Sequence, residues 1–184
     1  GEWLGVHGCG GVGLSAIMIG AALGARIIAV DIKPAALEAA RAVGANITLN
    51  ANDHDDVGEA VRAATGGGTH VSVDALGVTA TFHNSLKSLR KMGRHVQIGM
   101  PLGPHASPPI PLLDLVYARQ ITLHGTRGIG AHRFTALFEM IAADRLNPAT
   151  LITKEIALSG VGQALRDMDE FTGYGVTVIT DMST

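Results

Sequence analysis

The sequence predicts an α/β protein: a doubly wound, six-stranded parallel sheet followed by a smaller C-terminal unit. Three observations carry this reading. Short apolar runs rich in valine and isoleucine alternate with helical periodicity along most of the 184 residues, the pattern of strands buried on both faces by crossover helices. Hydrophobic residues make up 47% of the chain and charged ones only 16%, as tightly packed layers require. Glycines recur at the ends of the periodic segments, where helices stop.

In chain order, "WLGVH" reads as a buried strand, followed by a glycine turn and an apolar helix to Leu23, with Gly24 as its stop. "RIIAV" is the next strand, closed by Asp31; Ala35 to Val43 is a helix ended by Gly44, and "NITLN" a short strand. Val57, Ala60, Val61 and Ala64 share one helical face. "HVSVDAL" is a strand running into Gly77; Phe82, Leu86 and Leu89 mark a helix stopped by Gly93; "RHVQIG" is again a strand. Residues 100 to 111 hold five of the seven prolines and read as an irregular loop. A short helix near Leu112 to Ala118, the strand "ITLHG" and a helical stripe of Phe134, Leu137, Phe138 and Ile141 follow. After Pro148 the pattern changes: "LITKEIAL", a helix face of Val161, Ala164, Leu165 and Met168, and "GVTVIT" form a βαβ-like unit. The expected division is therefore 1–149 for the main domain and 150–184 for the extension.

Composition narrows the function. A net charge of −2 gives no electrostatic footprint for nucleic acid or an anionic membrane. The single cysteine excludes an internal disulfide and a multi-thiolate zinc site, and is compatible with a reducing, cytoplasmic location. The apolar run from Val12 to Leu23 is too short to span a bilayer and lacks the basic front of a signal peptide. The chain starts Gly-Glu-Trp, as an excised piece of a longer protein would.

Gly8, Gly10 and Gly13 satisfy G-x-G-x-x-G, with a strand before, a helix after, and an acid at Asp31 eighteen residues past the last glycine. Gly8 permits the tight turn, Gly10 lets backbone approach a pyrophosphate, and Gly13 lets helix pack on strand. Free N–H groups at Gly11 and Val12 then face the anion, helped by the helix dipole. Asp31 can accept both ribose hydroxyls of an adenosine and repels a 2′-phosphate, which favours NAD over NADP. Ile32 and Lys33 follow it, and Lys33 softens that preference. The fold is thus of the Rossmann type.

Taken together, "GCGGVGLSAIMIGAALGA" with "RIIAVD", "LEAARAVGA", "VDALG", "LKSLRKMGRHVQIGMP", "ITLHGT", "LITKEIAL" and "GVTVI" resemble the coenzyme-binding domain of the zinc-containing, medium-chain alcohol dehydrogenases. The resemblance covers nearly the whole chain. It implies that Gly11 and Val12 bind pyrophosphate and that Asp31 holds the adenosine ribose. It further implies that Ala75, Leu76 and Gly77 border the adenine-side ribose. Backbone at Ile98, Gly99, Met100, Gly125 and Thr126 would receive the nicotinamide ribose and carboxamide. An isologous homodimer through the edge strand around Ile121–Gly125 is also implied, as is hydride transfer between NAD and an alcohol or carbonyl substrate. In that family the final unit returns to the catalytic domain. Its zinc ligands lie upstream of Gly1, so the chain alone is expected to be inactive. An arginine often precedes the family's last strand, and Val176 stands here instead.

Other features read more plainly. Cys9 is small apolar filler, His7 is structural, and "NDHDD" at 52–56 caps a helix. His132 and Arg133 are surface residues, and the Phe134–Phe138 stripe is core or interface. No G-x-S-x-G elbow is present, and Ile121 and Val178 stand where a Tyr-x-x-x-Lys pair would need lysine. An NAD-sensing module without catalysis and an S-adenosylmethionine-binding methyltransferase domain are the alternatives.

Overall fold

The computed structural model describes residues 1–170 and 173–183. Six strands form one wholly parallel sheet: β1 (Trp3–His7), β2 (Arg26–Asp31), β3 (Ile47–Asn50), β4 (Thr69–Asp74), β5 (Leu89–Gln97) and β6 (Thr122–Gly125). Their order is β3-β2-β1-β4-β5-β6. The sequence direction reverses between β1 and β4, and in such sheets the crevice at the carboxyl ends of these strands is where ligands bind.

The helices are α1 (Gly11–Ala22), α2 (Pro34–Ala42), α3 (Val57–Ala64), α4 (Thr79–Ser88) and α5 (Phe134–Ala142). Alternation along β2 divides the core. Ile27 and Ala29 join Val6, Leu14, Ile17 and Leu37 under α1 and α2. Ile28 and Val30 join Trp3, Leu49 and Val61 on the opposite face, under α3. Local chemistry sets the ends. Pro34 opens α2, Gly24 and Gly44 take φ of +84° and +116° beyond α1 and α2, and Asp56 accepts the Glu59 N–H at 3.0 Å to start α3. The cap holds the Asp56 carboxyl below its usual range, with Lys87 contributing less.

Two boundaries differ from the expected ones. The strand at "HVSVDAL" ends at Asp74, whose side chain bonds the following backbone. Helix α4 ends at Ser88, and Leu89 begins β5 rather than completing the helical stripe. Leu89 is fully buried with Leu86, Leu115 and Ile121. Its carbonyl accepts Arg62 Nη1 at 2.7 Å and Arg119 Nη1 at 3.3 Å. These guanidiniums satisfy backbone that a longer helix would have used. The pairing of β4 with β5 then slips between Thr69 and Val71, and Gly93 lies inside the strand instead of stopping the helix.

After Pro148 the chain forms β7 (Ile152–Ala157), α6 (Val161–Asp169) and β8 (Val176–Asp181). The two strands pair in parallel as a separate sheet. Leu151 anchors this unit by entering the core beneath α1. Gly175 forms a lone bridge to Gly10. Helix α5 has no buried residue, and Phe134 and Phe138, with ring centroids 6.0 Å apart, stay exposed. His132 and Arg133 are exposed as expected. Among the described residues no helix is long and apolar enough to cross a membrane.

Candidate functional site

The glycine turn joins the carboxyl end of β1 to α1. Gly8 adopts φ +93°, a left-handed conformation that side chains oppose. Gly13 lies so close to the Gly8 carbonyl that a Cβ there would fall 1.8 Å from its oxygen, so no side chain fits. Gly10 differs: nothing lies within 4 Å of where its Cβ would stand. It starts α1 without a side-chain cap, so the first N–H groups of the helix have no intrahelical partner. That combination of open space and unspent donors suits an anion. Val12, half exposed, borders the same opening.

Asp31 ends β2 beside this turn. Its Oδ2 accepts the Cys9 N–H at 2.7 Å and its Oδ1 the Lys33 N–H at 2.9 Å. Each oxygen keeps acceptor capacity beyond the bond it makes, which two ribose hydroxyls can use. Lys33 turns toward the extension, and its Nζ donates to the Gly173 carbonyl at 3.2 Å. Ile32 is exposed. Cys9 is fully buried, and burial, helped by nearby Asp31, pushes its thiol far up, which leaves a neutral packing group. Val176, which stands where the resemblance implies an arginine, packs beside Gly11: a Cβ on that glycine would meet Val176 Cγ2 at 3.3 Å and the Gly175 carbonyl at 2.8 Å.

The turns after β4 and β5 stand in direct backbone contact. A Cβ on Gly99 would lie 2.4 Å from the Gly77 nitrogen, and one on Gly77 would lie 2.7 Å from the Met100 carbonyl. The structure thus brings Ala75, Leu76 and Gly77 against Ile98, Gly99 and Met100. Gly125 ends the edge strand β6, and the Thr126 N–H donates to the Gln97 carbonyl at 3.2 Å. A cavity of about 350 Å³ lies among these strand ends, walled by Gly77, Gln97, Leu123 and Gly125 and roofed by the proline-rich loop. The loop is fastened to α4 by the Thr79 N–H donating to His105 Nδ1 at 3.3 Å and by a His83 bond to the Pro109 carbonyl at 2.7 Å.

Beneath this cavity runs a polar chain that sequence reasoning missed. Asp74, fully buried, accepts the N–H groups of Leu76 and Gly77 and the Thr81 hydroxyl, each at 2.9 Å, on Oδ1. Its Oδ2 accepts Gln97 Nε2 at 2.9 Å, and the same amide donates to the Gly99 carbonyl at 2.8 Å. Gln97 Oε1 must then accept, so His95 Nε2, 3.1 Å away, carries the proton. His95 Nδ1 consequently accepts the Ser85 hydroxyl at 2.8 Å, and Ser85 takes that of Ser72 at 2.7 Å. Ser88 lies 3.2 Å from Ser72, and His7 Nε2 lies 3.4 Å from Ser88. Burial holds His7 down at about 4 and lowers His95 as well, so both rings are neutral at pH 7. The available signal was polar residues at the inward positions of strands read as buried on both faces.

Residues 11–143 match the family described as zinc-binding dehydrogenase. An alcohol dehydrogenase of Geobacillus stearothermophilus is 34% identical over 131 residues, covering 71% of this chain and 36% of that protein. An NAD-dependent alcohol dehydrogenase of Sulfurisphaera tokodaii is 29% identical over 171 residues, covering 92% of this chain and 48% of that protein. The crystal structure of an NAD-dependent alcohol dehydrogenase superimposes with a TM-score of 0.87 at 26% identity, over 100% of this chain and 52% of that one. Alcohol dehydrogenase TADH from Thermus sp. ATN1 does so with 0.84 at 28% identity, over 96% and 51%. The chain thus spans half or less of the length of these curated relatives. The match over residues 11–143, most of the chain, makes it a member of the zinc-binding dehydrogenase family.

Proposed function

We propose that the chain is the coenzyme-binding half of an NAD-dependent alcohol dehydrogenase. The observation that carries this is Asp31, which stands at the end of β2 with acceptor capacity left on both oxygens, beside the unspent N–H groups of α1. In this reading Gly8, Gly10 and Gly13 shape the turn, and Gly11 and Val12 donate to the pyrophosphate. Asp31, with Ile32 and Lys33, holds the adenosine ribose, and Ala75 to Gly77 border it. Ile98, Gly99, Met100, Gly125 and Thr126 hold the nicotinamide ribose and carboxamide. NAD, when bound, supplies the acceptor for a substrate hydride. The chain's own part is to bind and orient the two ends of that coenzyme.

Among the described residues no group of three or more His, Cys, Asp or Glu side chains is placed to hold a metal ion. The described residues therefore supply no ligand set for a catalytic zinc. We assign the metal and most of the alcohol or carbonyl pocket to protein outside these residues. Residues 1–149 are read as the coenzyme domain and 150–184 as an extension toward that remainder. The outer edge of β6, exposed throughout and flanked by exposed Leu112, Leu113 and Tyr117, supports a homodimer formed by strand pairing. The lone buried thiol suits a reducing compartment such as the cytoplasm.

The 184-residue chain, purified and stripped of metal, is expected to bind NAD and to oxidise no alcohol. Turnover by that preparation contradicts the division of labour proposed here.

A further inference from the structure

We propose that Gln97 is a positioning residue for the nicotinamide end of the coenzyme, an inference that rests on the coenzyme reading above. The Gly99 peptide is held on both sides. Its N–H donates to the Asp74 carbonyl at 2.8 Å, beside that of Ile98 at 3.0 Å, and its C=O accepts Gln97 Nε2 at 2.8 Å. The second hydrogen of the same amide goes to Asp74 Oδ2 at 2.9 Å, and Asp74 Oδ1 fixes Leu76 and Gly77. One side chain therefore staples the turn after β5 to the turn after β4. What remains on the first turn, the Ile98 carbonyl and the Met100 N–H, has no hydrogen-bond partner among the described residues.

The staple has one orientation. Asp74 accepts on both oxygens, so the Gln97 amide nitrogen must face it and the Gln97 oxygen must face His95. Reversal of the amide would set oxygen against carboxylate and against the Gly99 carbonyl. A leucine or methionine fills the same space without fixing the Gly99 peptide, while Leu76 and Gly77 keep their own bonds to Asp74 Oδ1. The adenosine end is tied separately, through Asp31 and Cys9. Loosening Gln97 should therefore affect only one end of the ligand.

The test compares NAD with ADP, which lacks both the nicotinamide and its ribose, by calorimetric titration of the protein and of Gln97→Met. The expected result is an NAD affinity lower by about tenfold, the effect of one or two lost hydrogen bonds, with ADP affinity within about twofold of the parent. An equal loss for both ligands, or a loss for neither, overturns the proposal. If Gln97→Met fails to fold, the paired exchange Asp74→Asn with Gln97→Glu serves. The amide introduced on β4 then donates to the carboxylate introduced on β5, restoring the link between the strands, while that carboxylate has no hydrogen for the Gly99 carbonyl. That variant is expected to fold with a melting temperature below the parent's, since the new carboxylate faces the Gly99 carbonyl, and to bind NAD poorly while binding ADP as the parent does; parent-like NAD affinity overturns the proposal. Parent protein that binds neither ligand refutes the coenzyme reading itself, which separates the two failures.

Discussion

The Asp31 carboxylate accepts the backbone N–H of Cys9 at 2.7 Å, so the acid at the end of β2 is built into the glycine turn after β1. Its partner bond to Lys33 N–H at 2.9 Å orients the other oxygen. The turn and Asp31 thus form one hydrogen-bonded piece.

Replacing Asp31 with serine is expected to weaken NAD binding by about 1.5–3 kcal/mol, the range for hydrogen bonds to a charged group. NADP is expected to lose less, because the repulsion of its 2′-phosphate disappears with the carboxylate. Paired titrations check this, and an unchanged ratio of the two affinities removes Asp31 from the ribose.

The glycines separate by what surrounds them. Gly13→Ala is expected to lower the melting temperature sharply, because its Cβ would sit 1.8 Å from the Gly8 carbonyl oxygen and overpacking costs about 1–3 kcal/mol or more. Gly10→Ala meets nothing within 4 Å, so it should leave the melting temperature nearly unchanged while weakening NAD binding. A Gly10→Ala variant that binds normally places the pyrophosphate elsewhere.

Stability should fall as the pH drops below about 6.5 and continue falling toward 4. His7 is a base held near 4 in the fold against 6.5 as its ordinary value. In that window the unfolded chain binds a proton that the native one refuses, so stability is greatest above 6.5 and lost on acidification. The shift from 6.5 to about 4 corresponds to roughly 3 kcal/mol. His95 acts in the same direction. Urea midpoints measured across this range should show a shallower slope in His7→Phe, and an identical slope would acquit the ring.

Cys9 should resist thiol reagents in the native protein and react on unfolding, since the thiol is buried and held neutral. Rapid labelling without denaturant contradicts that burial.

Much of this was legible beforehand for a physical reason. A strand buried on both faces reads as an apolar run, and a helix against the sheet repeats with its own period, so "RIIAVD" and α1 were plain. Leu89 was misread because an apolar residue one turn after Leu86 fits a helix equally well; only Arg62 and Arg119 at its carbonyl show where α4 stops. Gly8, Gly13 and Asp31 were legible because their spacing reflects local geometry. Gln97, Asp74 and the serines were not, because their partners lie on different strands and become neighbours only through the register of β4 and β5. The Lys33 bond to the Gly173 carbonyl was not legible either, since the two residues stand 140 positions apart.

The coenzyme reading is tested most simply by the melting temperature of the protein with saturating NAD, NADP or S-adenosylmethionine, since a ligand that binds only the native state raises it according to its concentration and affinity. The largest rise is expected with NAD, a smaller one with NADP and none with S-adenosylmethionine. A larger rise with NADP than with NAD, or a rise with S-adenosylmethionine alone, would contradict that reading.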